Sequence, residues 1–470
     1  MASGPGLDDL LAHPNPDRRM STDPAALARR RDLRLILTDG LAFSVMVGMG
    51  EAYIAAFALA LGLGEVVAGL VVTVPLLAGG LLQLVTPAGV RWLRSRRRWT
   101  VLCASLQALA FAPLAAGALA GRLPAWAVFA AATGYWAAGM AAGPAWNVWV
   151  ERLVPRQVRL RFFARRTGLV QLGVLVSLVG SAAVLEWATG AGQPLRGFAA
   201  IFLAAALGRA VSARVLAAQS ESPQAGQPPP GMSPRALLRE FRGGEGGRLL
   251  VYLLAFTTSV TVASPYFSPF MLARLRFSYW EYMALVGTAL LAKVLVLSQL
   301  ARAARRFGLD AMLRLAWFGI LGLPALWLVS QAFGYLALLQ VISGTFWATQ
   351  EYAVFLLLFE TIPAARRVAM LTAYNLGNAL ATVTGSLIGA AIFHLAGQGM
   401  AGYVAIFAAS SAARALCVVL LLRVRGAQRV PRPVSFRLDA VRPGMGAVLK
   451  PVLATVRRGR WRAAQRREAR

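Results

Sequence analysis

The chain has 470 residues, of which 58% are hydrophobic and only 14% charged, with a mean hydropathy of +0.59. Soluble domains carry ~25% charged residues, so this composition excludes a string of soluble domains and predicts an all-α polytopic membrane protein. The net charge of +30 comes almost wholly from arginine, Lys293 and Lys450 being the only lysines. These arginines recur between apolar runs and do not cluster on one polar domain. That pattern excludes nucleic acid as the expected partner and favours anionic lipid headgroups.

Taken in order, residues 1–33 hold charges and prolines without the apolar stretch of a secretory signal, and are expected to be a cytoplasmic tail. Apolar runs of about 20 residues, enough to cross ~30 Å of hydrocarbon, then predict twelve helices in two bundles. They fall near 35–60, 65–90, 99–120, 124–150, 167–187 and 197–217, and near 248–272, 279–301, 311–332, 335–359, 368–394 and 402–423. The domain plan is a first six-helix bundle at 34–218, a linker at 219–247, a second bundle at 248–423 and a basic tail at 424–470. The linker is rich in Pro, Gly, Ser and Gln. The tail carries RRGRWRAAQRREAR and is expected to lie on lipid.

Basic residues gather at 29–34, 91–98, 152–166, 235–248, 302–306, 366–367 and after 423, in alternate loops. By the positive-inside rule these loops and both termini face the cytoplasm of an inner or plasma membrane, with Arg122, Arg196, Arg274 and Arg276 as exceptions. The two halves repeat. Residues 143–166, GPAWNVWVERLVPRQVRLRFFARR, share their plan with 344–378, with Pro363 in the place of Pro155 and Arg367 in that of Arg159. Glu51-Ala-Tyr53 then Phe57 is echoed by Ser264-Pro-Tyr266 then Phe270, and Arg209 by Arg414. This is a parallel repeat.

Cys103 and Cys417 lie in apolar runs, and His13 and His394 stand alone, so neither a disulfide framework nor a metal site is signalled. The sequence holds no Walker-type loop, HExxH or CxxC, and no GxSxG on a strand-to-helix turn. No enzyme, cofactor or ATP-driven pump is expected.

The loop GVRWLRSRRRW at 89–99 resembles the signature loop of the major facilitator superfamily. Gly89, Arg94, Arg97 and Arg98 fit, whereas Leu93 stands at the acid position and Arg96 at the second glycine. ARAARRFG at 301–308 keeps Arg306 and Gly308 and also lacks the acid. Stretches such as GEAYIAAFALALG at 50–62 and ASPYFSPF at 263–270 are similar to bacterial permeases of that superfamily. The resemblance covers most of 34–423 and implies two six-helix bundles, solute transport and a cytoplasmic latch. With the usual acid absent, Glu151 and Glu360 are the acids expected to hold Arg94, Arg97, Arg98, Arg159, Arg306 and Arg367.

Several polar residues fall inside apolar runs. Glu51 lies well within the first, where a carboxylate needs water, a partner or a proton; it is read as a proton carrier or as a packing carboxylate near a helix end. Gln350 and Glu351 stand about nine residues before Glu360, or ~13 Å deep. With Tyr53, Tyr266, Asn375 and Asn378 they are the candidate lining of a path for solute and protons, though such residues also bind helix to helix. Lys293 has a stem long enough to reach the interface. Arg209 and Arg414 occupy matching places, which favours a structural role. Gly48 and Gly50, like Pro265 and Pro269, predict weak points in helices 1 and 7. The expected function is a proton-coupled secondary transporter of a small solute. A facilitative uniporter and a transport-inactive receptor or scaffold of the same fold remain the alternatives.

Overall fold

The computed structural model describes residues 24–155, 158–221, 245–362 and 364–424; both tails and most of the linker lie outside the described residues. Among the described residues there is no strand, and eleven helices are long and apolar enough to cross a membrane. In chain order the helices are α1 (Leu27–Ala60), α2 (Glu65–Leu93), α3 (Arg96–Ala120), α4 (Ala125–Leu153), α5 (Arg159–Gly190) and α6 (Pro194–Ala218). They continue with α7 (Gly246–Arg274), α8 (Tyr279–Phe307), α9 (Leu309–Leu326), α10 (Phe333–Thr361), α11 (Ala364–Leu395) and α12 (Gly399–Leu421). The twelfth, beyond the eleven, is α4. Its alanines, glycines and tryptophans lower its hydropathy, yet it packs against α2 and α3 in the first bundle.

Helices are the only open-ended way to satisfy a backbone in lipid, which is why the apolar runs fold where expected. Several helices outrun their apolar stretch. The segment α1 belongs to already helical at Pro24, and α8 continues through ARAARRF to Phe307. A helix can leave the membrane without ending.

The repeat is visible atom by atom. The helix containing Glu51 breaks into a 3-10 turn at Glu51–Tyr53, and its twin breaks at Ser264–Tyr266, followed by a π-turn at Phe270–Arg274. Beside each break a buried tyrosine donates to a backbone carbonyl of the helix four further along in its bundle. Tyr53 Oη bonds to Leu178 O of α5 at 3.1 Å, and Tyr266 Oη to Ser386 O of α11 at 3.1 Å. Pro265 removes one backbone donor at the second break. At the first, Gly50 makes room: a Cβ there would sit 2.4 Å from the ring of Phe111. Gly48 likewise lets α1 approach α5, a Cβ there falling 2.5 Å from Ser177 Cβ. These glycines serve close packing as well as the break.

The halves meet along two seams, α2 against α11 and α5 against α8, with α7 also touching α1 and α2. Thr73 Oγ1 donates to Ser386 Oγ across the first seam at 2.8 Å, and Gly69 faces the Tyr266 ring. At the second, Glu186 accepts the N–H of Tyr279 at 3.2 Å, and the Phe198 ring meets Tyr279 edge-on at 6.0 Å. Glu65 lies beside Tyr403 and Arg274, one of the exceptions to the charge rule. All these contacts fall between the middle of the bundles and the end opposite the arginine-rich loops.

Within the second bundle the motif GSLIGAAI sets the spacing. A Cβ on Gly385 would lie 2.3 Å from Thr258 O and one on Gly389 2.1 Å from Val262 O, both on α7. Association in lipid depends on such close packing. Gly389→Val is therefore expected to force α7 from α11 and cost about 1–3 kcal/mol. Detergent-solubilised variant should show a lower unfolding temperature and a smaller monodisperse peak on size exclusion; an unchanged peak and temperature would refute that contact.

Candidate functional site

In the first bundle the break at Gly50 turns Glu51 toward α4, where the Tyr135 hydroxyl donates to its carboxylate. Tyr135 in turn lies near Arg209 of α6. Arg209 is 5% exposed and donates through Nε to Gln107 Oε1 at 2.9 Å and through Nη1 to Ser212 Oγ at 2.7 Å. The Ser212 hydroxyl donates in turn to Asp39 Oδ1 at 2.7 Å, and Arg166 Nη2 stands 3.5 Å from the other oxygen of Asp39. Five helices thus supply one polar chain. Gly139 of the motif GMAAGPAW leaves the space that Gln107 occupies.

Of these residues Glu51 and Arg209 stand out in the sequence, whereas Asp39, Gln107 and Tyr135 emerge only from the fold. Asp39 carried the same signal as Glu51, a lone acid in an apolar run. Gln107 and Tyr135 gave none, because a single amide or phenol in an apolar run is common.

In the second bundle the principal pair is Lys293 with Glu351. Lys293 Nζ donates to Glu351 Oε1 at 2.6 Å, with side chains 7% and 10% exposed. This corrects the expectation that Lys293 reaches the interface. The apolar span of α8 closes at Leu297, close enough for the stem to reach out, yet the ammonium turns inward onto Glu351 of α10. Asn378 accepts from Thr257 Oγ1 at 2.9 Å, and the Tyr374 hydroxyl lies 3.5 Å from the same oxygen. Asn375 is exposed, and Gln350 is buried beside Tyr252. Tyr53 and Tyr266 are fully buried, their hydroxyls engaged by backbone carbonyls. The candidate lining therefore falls into a Glu51 group, a Lys293–Glu351 pair and an Asn378 group, with the two tyrosines at the helix breaks.

At the end of the arginine-rich loops, Ser95 caps α3 by accepting the N–H of Arg98, and Arg94 takes a left-handed backbone with φ 51°. Arg97 is held by Glu221 at 3.3 Å and by Gln219 O at 2.8 Å, and Ser95 also donates to Glu221 at 2.6 Å. Glu221, which follows α6, was not among the acids expected to hold these arginines. Glu151 is exposed at the end of α4. Glu360, past the apolar span Phe333–Leu358, has its carboxyl pushed up by burial and by neighbouring Asp310. Arg306 stacks on Phe307 at 5.2 Å. The side chains of Arg159 and Arg367, and Pro363, lie outside the described residues.

Removing one member of a buried ion pair strands the other charge, at a cost of about 3–5 kcal/mol, whereas replacing both is often neutral. Lys293→Met alone should lower the unfolding temperature sharply, and adding Glu351→Leu should restore most of the loss. If the double variant is no more stable than Lys293→Met, the pair does not hold the second bundle as described.

No protein-family model matches the chain, and no curated protein matches it in sequence. Solved structures match closely in shape. An auto-inhibited POT family peptide transporter superposes with a TM-score of 0.65 at 12% identity, over 86% of this chain and 99% of that one. The nucleoside transporter NupG gives 0.60 at 15% identity, over 84% and 98%. The human organic anion transporter MFSD10 gives 0.53 at 18% identity, over 85% and 100%. The chain therefore has the fold of the major facilitator superfamily transporters.

Proposed function

We propose that the protein is a secondary transporter that moves a small solute across the inner or plasma membrane by alternating access, coupled to protons. The observation that carries this reading is the charge set inside both bundles: half-buried Glu51 on Tyr135 in the first, Lys293 on Glu351 in the second. Ionisable groups at membrane depth are expensive and mark solute or proton paths. Nucleoside, peptide and organic anion transporters share the fold, which supports transport without choosing among these solutes.

In this reading Glu51 carries the proton. The break in α1 presents the carboxylate to Tyr135 of α4, and protonation of Glu51 would alter that contact. Glu351, with Gln350, Tyr53, Tyr266, Asn375 and Asn378, borders the solute path, and Lys293 joins them. The contacts at α2–α11 and α5–α8 form the gate closed here. Arg94, Arg97, Arg98, Glu151, Arg159, Arg306, Glu360 and Arg367 form the latch of the opposite state, with both termini in the cytoplasm. Exposed Trp92 beside Arg97 and Arg98 lines a groove suited to anionic headgroups.

Protein reconstituted in liposomes with an inward proton gradient should accumulate one class among nucleosides, short peptides, organic acids, sugars and cationic drugs. Glu51→Gln should abolish gradient-driven accumulation while keeping solute exchange. Accumulation equal in the variant would remove Glu51 from the proton path. Exchange without any response to the gradient in wild type would favour a uniporter, and no exchange of any class a transport-inactive scaffold.

A further inference from the structure

A groove opens on the outside of the first bundle where α2, α3 and α6 meet. Its volume is about 530 Å³, within the ~300–1,000 Å³ of small-ligand sites, and its lining includes Trp92 of α2, Arg97, Arg98 and Ser105 of α3, and Ala217 of α6. One end is aromatic and cationic. Trp92 is 75% exposed and Arg98 is exposed, while Arg97 is shared with Glu221 in an ion pair that is itself open to water. The other end is apolar: Leu102 follows Arg98 by one turn, and Leu106 and Leu109 prolong the same exposed face of α3. The membrane span of α3 begins at Arg96, so the cationic end stands at headgroup level and the leucine track descends into hydrocarbon.

The matching place in the second bundle has a different chemistry. Ser95 and Gly308 precede α3 and α9 as their N-caps, and the offset of 213 between them lays Thr100, Cys103 and Gln107 over Leu313, Ala316 and Ile320, all buried. By that offset Arg97 becomes Asp310, Arg98 becomes Ala311 and Ser105 becomes Phe318. By the offset of 205 between Arg209 and Arg414, Ala217 becomes Leu422. The helix scaffold therefore requires neither the two arginines nor the two small residues. Where the first bundle sets a cation beside open space, the second sets a carboxylate and a methyl group beside Phe318 and Leu422.

The chemistry of the occupant follows from both ends of the groove. Residues 91–98 hold five arginines and no acid, a surface that repels an ammonium and offers guanidinium forks to a phosphate. A soluble anion would leave the leucine track uncovered, whereas an acyl chain covers it.

We propose that this groove is a discrete site for one anionic phospholipid of the leaflet on the side of the arginine-rich loops, its phosphate on Arg98 and Arg97 and one acyl chain along Leu102, Leu106 and Leu109. The site sharpens the headgroup contact proposed above into a single bound molecule. It rests on that reading only for calling the leaflet cytoplasmic, and is independent of the solute.

The test is native mass spectrometry of the detergent-purified full chain, which counts bound lipids one by one, titrated with dioleoyl phosphatidylglycerol or dioleoyl phosphatidylcholine. The first phosphatidylglycerol should bind at least about tenfold more tightly than the first phosphatidylcholine. Arg98→Ala changes an exposed side chain and should weaken that first binding about fivefold. Ser105→Phe keeps every charge, copies the second bundle, and should weaken it to the level of later, unspecific adducts. Arg302→Ala, on the basic end of α8, should leave it unchanged. Equal affinity for the two lipids would overturn the proposal, as would unchanged affinity in either Arg98→Ala or Ser105→Phe. An equal loss in Arg302→Ala would mean attraction to basic surface in general, and displacement of the lipid by inorganic phosphate would mean a plain anion site; each would overturn it. Solute exchange has no part in this readout, so failure here leaves the transport reading standing.

Discussion

In hydrocarbon a polar group has only the chain itself to bond, and most of this structure follows from that constraint. Backbone groups are satisfied by helices. Where α1 and α7 break, the buried tyrosine beside each break bonds a carbonyl of a facing helix, Tyr53 on Leu178 and Tyr266 on Ser386. Side-chain charges follow the same rule by forming closed sets, Asp39 with Arg166 and Arg209 in one bundle, Lys293 with Glu351 in the other. The scaffold is held by packing of small residues, and the polar sets determine which helices can move without stranding a charge.

Helix positions were legible because bilayer thickness dictates the length of an apolar run, and the plan of two bundles was legible in the internal repeat. Helix ends were less so, since α8 passes its apolar stretch as an arginine-bearing helix to Phe307. Partner choice was not legible at all. Arg97 finds Glu221, an acid 124 residues further along the chain that only the return of α6 brings near. The stem of Lys293 is long enough to reach the interface, and only the fold shows that Glu351 of α10 holds its ammonium inside the bundle. Asp39 carries a legible signal, an acid inside the first apolar run, but its pairing with Arg166 and Ser212 depends on helices that only the fold brings together.

The repeat is kept in helix order and in the tyrosine-backed breaks, and is loose in chemistry. Both bundles keep the break, the tyrosine and the buried arginine, yet Asp39 has become Tyr252 and Ser212 has become Cys417. Close packing tolerates such exchanges because the volumes lie in positions where the helix spacing is set by glycines elsewhere, such as Gly385 and Gly389. The halves are thus alike as scaffolds and unlike as electrostatic environments, and a path between them meets a different chemistry on each wall.

At the start of α8, Ser278 and Glu281 satisfy each other's backbone N–H groups, and the first helical N–H, that of Tyr279, is satisfied by Glu186 from the other bundle. One half thus finishes a helix belonging to the other. Two gene segments bound in this way can no longer be exchanged freely: a second half recombined behind a foreign first half would start α8 one bond short. Descent would then preserve the pairing of halves as a unit, even while each half drifts away from its twin.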